Sequence, residues 1–234
     1  MEIKIGIAQI NKYAMADCGD SVDVAERPSG GISAVLADGQ GSGKSAKITS
    51  NLVVNKAVAL IVDGARDGAV ARAVHDYLYV VKDGKVSSTL TLMSADLDTQ
   101  TAVFSRNSNC PVIVKHQYGL DVYDEDISSI GVHKRMKPLM CQLPLETGML
   151  LVSYTDGIQA AGRKHGKPID FEFIEKLIND NSAVDAAFIA DSILDYALSL
   201  DNYHPSDDMT VVVMGICDTE MEYNIRRMSV SFPC

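Results

Sequence analysis

The chain opens with Met1, Ile3, Ile5 and Ile7 alternating with Glu2, Lys4 and Gly6, a period of two that predicts a half-buried strand. Gly19-Asp20-Ser21, a polar turn over Glu26 to Gly31 and the apolar run Ile32 to Ala37 predict a hairpin arm that ends at Asp38. From about Gly43 to Val62 the pattern turns helical, with Ala46, Val53, Ala57, Leu60 and Ile61 on one face. A second helix is expected from Ala65 to Val81 on the spacing of Val70, Ala73, Val74, Tyr77 and Val81. Strands then follow over Ser88 to Ala95, Thr101 to Arg106 and Val112 to His116, with a weaker pair across 118–131 and 132–141. Their short polar turns have the spacing of an antiparallel meander. Gly148 to Thr155 is the next strand, apolar enough to be buried on both faces. Helices are expected at Phe171 to Ile178 and Val184 to Leu200, the second opened by a capping box at Ser182-Ala-Val-Asp185. Met209 to Cys217 reads as a buried strand, followed by a tail over 218–234.

Two helices, a block of strands, two helices and a strand make an α+β order, with antiparallel sheets stacked between helical layers. A length of 234 residues suits one domain, with its core at about 3–217. A net charge of −10 without a Lys/Arg cluster argues against nucleic acid and anionic membrane as partners. The five cysteines are scattered and form no Cys-x-x-Cys pair, as in a reduced, cytoplasmic chain. The N-terminus lacks the apolar core of a signal peptide, and no apolar run is expected to span a bilayer.

The chemistry lies in the acids. Ala34-Val-Leu-Ala-Asp38-Gly39 and Leu150-Leu-Val-Ser-Tyr-Thr-Asp156-Gly157 are apolar strands that deliver a carboxylate to a turn, and Asp207-Asp208 directly precedes the apolar run 209–214. Asp20 lies in the strand or turn paired with the one leading to Asp38. One Asp-Gly is an ordinary turn signal; several at strand ends are what a folded carboxylate site requires. Crowded carboxylates resist joint ionisation unless a cation sits among them. Oxygen donors without a His or Cys cluster select Mg²⁺ or Mn²⁺ over Zn²⁺. Two such ions about 3.5–4 Å apart, sharing Asp38, can activate a bridging water for in-line attack on phosphorus.

In content, order and spacing, Asp38-Gly39, Ser153-Tyr-Thr-Asp156-Gly157 and Asp207-Asp208-Met-Thr-Val-Val-Val, with Gly19-Asp20 upstream, resemble the PPM class of metal-dependent serine/threonine protein phosphatases. The likeness is to the bacterial branch of SpoIIE, RsbU and RsbX, over about residues 3–217. It implies a four-layer α-β-β-α sandwich of two antiparallel sheets flanked by helices, with two Mn²⁺ or Mg²⁺ ions between the sheets. It implies that Asp38 bridges them, that the Gly39 carbonyl helps bind the first, and that Asp156 and Asp207 bind the second. Asp20 acts through a coordinated water, and Asp208 stands as the alternative to Asp207. The implied substrate is a phosphorylated serine or threonine on a STAS-domain antagonist or stressosome scaffold protein. Three departures stand out. Gln40 replaces a histidine proposed as general acid in larger relatives, Arg106-Asn107-Ser108 lacks the acid of a third metal site, and no phosphate-gripping arginine lies near the N-terminus.

Two other readings compete. A pseudophosphatase would keep the sandwich and bind a phosphorylated partner without turnover. A Walker-type loop aligned on Gly43-Lys44-Ser45 requires glycine at 38, where a carboxylate opposes the anion. His75, His116, His133, His165 and His204 share no ligand spacing and are assigned surface or structural roles. Ser153 lacks a nucleophile elbow and is expected to be a buried hydroxyl bonded to backbone. The basic stretch 160–167, just past Asp156-Gly157, is read as a flap that meets an acidic phosphoprotein surface.

Overall fold

The computed structural model describes residues 1–218 and 225–231. Its elements are β1 (Glu2–Ile10), β2 (Asp20–Glu26), β3 (Gly31–Asp38), α1 (Gly43–Val62), α2 (Asp67–Val81), β4 (Leu90–Asp96), β5 (Thr101–Asn107), β6 (Val112–His116), β7 (Gly119–Tyr123), β8 (Leu139–Pro144), β9 (Leu150–Tyr154), α3 (Asp156–Ala160), α4 (Phe171–Asp180), α5 (Ala186–Leu200) and β10 (Met209–Cys217). They form two five-stranded antiparallel sheets, ordered β1-β10-β9-β6-β7 and β2-β3-β4-β5-β8. The expected four layers are present. The strands after α2 are not one meander, however: β4, β5 and β8 join one sheet while β6 and β7 join the other. Local alternation reports strandedness but carries no information on which sheet a strand enters.

Three apolar clusters hold the layers. Leu36, Met93, Phe104, Val114, Leu151, Val212 and Met214 fill the space between the sheets. Val35, Leu92, Val53, Ile61, Val74 and Leu78 seal α1 and α2 onto the β2–β3–β4 sheet. Val152, Val211, Val213, Ile174, Ile189 and Ile193 seal α4 and α5 onto the other. Each fully buried aliphatic side chain contributes about 1.5–3 kcal/mol of transfer free energy. β10, an interior strand of its sheet covered on both faces, is buried at every position, as its unbroken apolar run requires.

Two expected faces are rotated. In β1 the best buried positions are Gly6 and Ala8, against α5, while Ile3 and Ile5 are partly buried toward the inter-sheet core and Ile7 is exposed. A β-carbon at Gly6 would lie 2.3 Å from the Ala186 carbonyl oxygen, so the strand packs by backbone on that side. In α2 the stripe is Val70, Ala71, Val74, His75 and Leu78. Tyr77 and Val81 face outward, and the Lys56 ammonium lies 5.4 Å from the Tyr77 ring centroid.

α1 also corrects the sequence reading, since its 20 residues and hydropathy of 1.2 are long and apolar enough to cross a membrane by composition. Here Val53, Val54, Ala57 and Ile61 pack against the sheet, and the buried Ser50 hydroxyl hydrogen-bonds that of Ser21 in β2 at 2.7 Å. The capping box is present, with Asp185 Oδ2 accepting from the Ser182 amide at 3.0 Å and hydroxyl at 2.6 Å. Of the tail, 219–224 and 232–234 lie outside the described residues. Within 225–231 the Arg226 guanidinium makes a bidentate pair with Glu26 at 2.6 and 2.7 Å.

Candidate metal centre

Antiparallel pairing decides where the acids meet. In one sheet the start of β2 pairs with the end of β3, and the register sets Asp20 opposite Asp38. In the other, β9 runs against β10, so the end of β9, which leads into Asp156, and the start of β10, which follows Asp207-Asp208, share an edge. Face-to-face stacking brings the two edges together. Asp20, Asp38, Gly39, Gln40, Gly41, Asp156, Asp207 and Asp208 line one cavity of about 300 Å³. Every acid named from the sequence is there.

Asp20 joins the sheets. It is 1% exposed, and its Oδ2 accepts from the Thr155 hydroxyl, just past β9, at 2.8 Å and from the Thr210 hydroxyl, in β10, at 2.7 Å, so both bonds reach to the opposite sheet's side. Two threonines flanking the acids therefore belong to the site. Thr155 directly precedes Asp156 and Thr210 follows Asp208 by two, a nearness that the search for carboxylates alone passed over. The Asp38 backbone is fixed by the Thr89 hydroxyl, which accepts from its amide at 2.9 Å, and by the Ser88 hydroxyl, which donates to its carbonyl at 2.7 Å. Gly39 and Gly157 are demanded by close packing: a β-carbon on either would lie 2.1 Å from the Ala46 carbonyl oxygen or 2.0 Å from that of Asp208.

Asp207 and Asp208 divide their tasks. Asp208 is buried, and its two oxygens accept from the backbone amides of Lys12 and Gly19, each at 2.8 Å. It thereby ties the β1–β2 connection to the start of β10. Asp207 is more open, with the Lys12 ammonium at 3.6 Å. Asp208→Ala should lower stability by about 2–4 kcal/mol, because two amides lose a charged acceptor; a thermal melt of the metal-free protein checks this, and Asp207→Ala should cost far less.

The electrostatics are strained. Burial, followed by the charges of Asp20, Asp156, Asp207 and Asp208, pushes the Asp38 carboxyl up to about 8 from 3.8. Burial raises Asp20 to about 7 despite the two threonine hydroxyls that favour its ionised form. Asp156 is raised too, by desolvation and then by Asp207. The donors are oxygen throughout, which suits hard divalent cations. Among the described residues no group of three or more His, Cys, Asp or Glu stands close enough to hold an ion by side chains alone. Like charges spread apart, and Mg²⁺ characteristically keeps several waters and takes only one or two carboxylates. An open acidic basin fits that demand.

A second cavity, about 380 Å³, shares Asp38, Gln40 and Asp156 with the first and continues past Ser87, Ser88, Thr89, Ser108, Asn109, Asp126 and His133. The buried Arg106 shapes its wall by donating to the backbone carbonyls of Ser108, Cys110 and Glu125. His133 is exposed, as read from the sequence, and lines this cavity as well. Ser153 donates to the Pro111 carbonyl at 3.3 Å, as expected of a buried hydroxyl. Gly162 and Gly166, both left-handed, frame a short 3₁₀ turn over Arg163–His165 in the basic stretch, whose charged residues are exposed.

The profile of the family described as Stage II sporulation protein E (SpoIIE) matches residues 28–216. The chain belongs to the SpoIIE family. It is 24% identical over 214 residues to stage II sporulation protein E of Bacillus subtilis (strain 168), covering 92% of this chain and 26% of that protein, so it spans about a quarter of that relative. Among solved structures, the PP2C phosphatase domain of SpoIIE from Bacillus subtilis, with a fragment of its regulatory domain, matches with a TM-score of 0.79 at 24% identity, over 92% of this chain and 64% of that one. RsbX in complex with magnesium matches with a TM-score of 0.70 at 20% identity, over 91% and 94% of the two chains. The serine/threonine phosphatase of S. agalactiae matches with a TM-score of 0.70 at 14% identity, over 92% and 100%. This SpoIIE-family chain has the PP2C phosphatase-domain fold.

Proposed function

We propose that this SpoIIE-family chain is a metal-dependent serine/threonine protein phosphatase that works at the acidic cavity. The observation that carries the reading is the register pair Asp20–Asp38, facing Asp156 and Asp207 from the other sheet around a basin in which burial and like charge make Asp20 and Asp38 resist ionisation. Asp38, the Gly39 carbonyl, Asp156 and Asp207, with Asp20 behind them, are the residues that would hold two Mn²⁺ or Mg²⁺ ions there. When bound, the ions supply Lewis-acid stabilisation of the phosphoryl group and acidify water for in-line attack. The magnesium named for the RsbX structure supports this choice of cofactor.

The substrate is a phosphoserine or phosphothreonine protein of a regulatory system in the cytoplasm, a STAS-domain antagonist or stressosome scaffold. A solved structure of the bacterial stressosome system resembles this chain with a TM-score of 0.67 at 16% identity. The exposed Arg163, Lys164 and Lys167, next to α3, give an otherwise acidic protein a local attraction for an acidic partner. Phosphate release from a phosphoserine protein should require Mn²⁺ or Mg²⁺ and stop with chelator; no metal-dependent release from any phosphorylated substrate would leave the pseudophosphatase reading. Reversing the three charges should raise KM for the phosphoprotein several-fold and leave KM for a small aryl phosphate in place. Equal shifts for both would remove the docking role.

A further inference from the structure

Neither cavity is lined by a lysine or arginine among the described residues, and His133 is the one lining side chain able to carry a cationic charge. The alternatives fail on chemistry. Cys110 is pushed up to about 12 by burial and holds its proton too tightly to give it up. With the Asn109 amide turned to satisfy both of its ends, its nitrogen donates to Asp126 Oδ1 at 3.1 Å and to the Ile127 carbonyl at 3.0 Å, a bond that favours the ionised carboxylate, which has no proton to give. Gln40 is a neutral amide whose oxygen already accepts from the Ser87 amide at 2.8 Å.

The loop that bears His133 is rooted beside Asp38. Ile130 exchanges two backbone hydrogen bonds with Ser88, at 3.1 and 2.9 Å. Ser88 bridges in turn to Gly39 and donates its hydroxyl to the Asp38 carbonyl at 2.7 Å. Two strand spacings set Ile130 about 10 Å from Gly39, and three residues carry the chain on to His133. Behind the root, buried His75 accepts from the Gly131 amide at 3.2 Å through Nδ1. The loop is thus held to the same backbone that presents the carboxylates.

We propose that His133 is a catalytic residue that protonates the departing seryl or threonyl oxygen. The inference rests on the phosphatase reading, with the phosphoryl group over the carboxylates and the leaving side chain in the second cavity. As the water oxygen bonds to phosphorus, the bond to the seryl oxygen breaks and its electron pair stays on that oxygen. The imidazolium N–H passes its proton there. The attacking water loses a proton to solvent, and solvent reprotonates the imidazole, so the products are an alcohol and inorganic phosphate. An imidazole ring can both give and take a proton, which suits this exchange.

The test compares His133→Gln with the native protein on a phosphoserine peptide and on p-nitrophenyl phosphate, in saturating Mn²⁺. Glutamine keeps a hydrogen-bonding side chain but cannot transfer a proton. The expected result is a kcat loss of about 10²-fold on the peptide and at most a few-fold on the aryl phosphate, whose leaving group departs as a stable anion. Equal losses on both substrates, or none on either, would overturn the assignment while the native protein's activity left the phosphatase reading standing. A native protein inactive on both would bring down the two together.

Discussion

Replacing Asp38 with asparagine should separate function from stability in opposite directions. Metal-dependent turnover should fall by more than about 10²-fold, since losing even an outer-shell partner of a metal ligand costs 10–100-fold and Asp38 is assigned the shared ligand position. The metal-free protein should meanwhile become more stable. Asp38 is raised to about 8 by burial and by four neighbouring acids, so at neutral pH folding works against its ionisation. A neutral amide of the same size removes that cost of about 1–3 kcal/mol, and at 2–4 °C per kcal/mol the melting temperature should rise by roughly 5 °C. The Mn²⁺-induced rise in melting temperature, large in the native protein, should shrink in the variant. The measurement is a pair of melts with and without Mn²⁺, beside phosphate release. A variant that loses activity but keeps the full Mn²⁺ shift would remove Asp38 from the metal centre.

The strained acids were legible in the sequence because strand ends are: an apolar run that stops at Asp-Gly states both the burial of the strand and the exposure of its tip. Asp38 and Asp156 are therefore visible without a structure, and the register of β2 against β3, which sets Asp20 opposite Asp38, follows from the hairpin they share. What could not be read is what depends on stacking one sheet on another. Nothing local tells β6 from β5, yet the first joins the sheet of Asp156 and the second the sheet of Asp38. The hydroxyls of Thr155 and Thr210 reach Asp20 only across that junction. Sequence spacing made Asp207 and Asp208 equivalent, and only the backbone amides of Lys12 and Gly19, nearly 200 residues upstream, distinguish a carboxylate used for bracing from one left open. His133 was hidden for the same reason. Its place depends on Ile130 pairing with Ser88, a single bridge in a stretch of weak periodicity.

The largest effect of solution conditions should come from pH acting on the same acids. In the folded, metal-free protein Asp20 and Asp38 titrate at about 7 and about 8, against 3.8 for an unshifted aspartate, and Asp156 is raised as well. Between those limits the folded state binds more protons than the unfolded state, so stability must fall as pH rises. Melting temperature without metal should therefore decline steadily from about pH 5.5 to 8.5, a slope opposite to that of a protein held by ordinary salt-bridged carboxylates. Buried His75, whose affinity for protons is lowered chiefly by desolvation, acts in the other direction only where an unfolded histidine is charged, and so bends the low-pH end of the profile alone. Saturating Mn²⁺ should invert the dependence, because the ions bind the deprotonated carboxylates of the folded state and compete better as protons become scarce. The two melting curves should thus diverge with rising pH, and Asp38→Asn should flatten both. Parallel curves would mean that the cations bind elsewhere and that the clustered aspartates do not form their site.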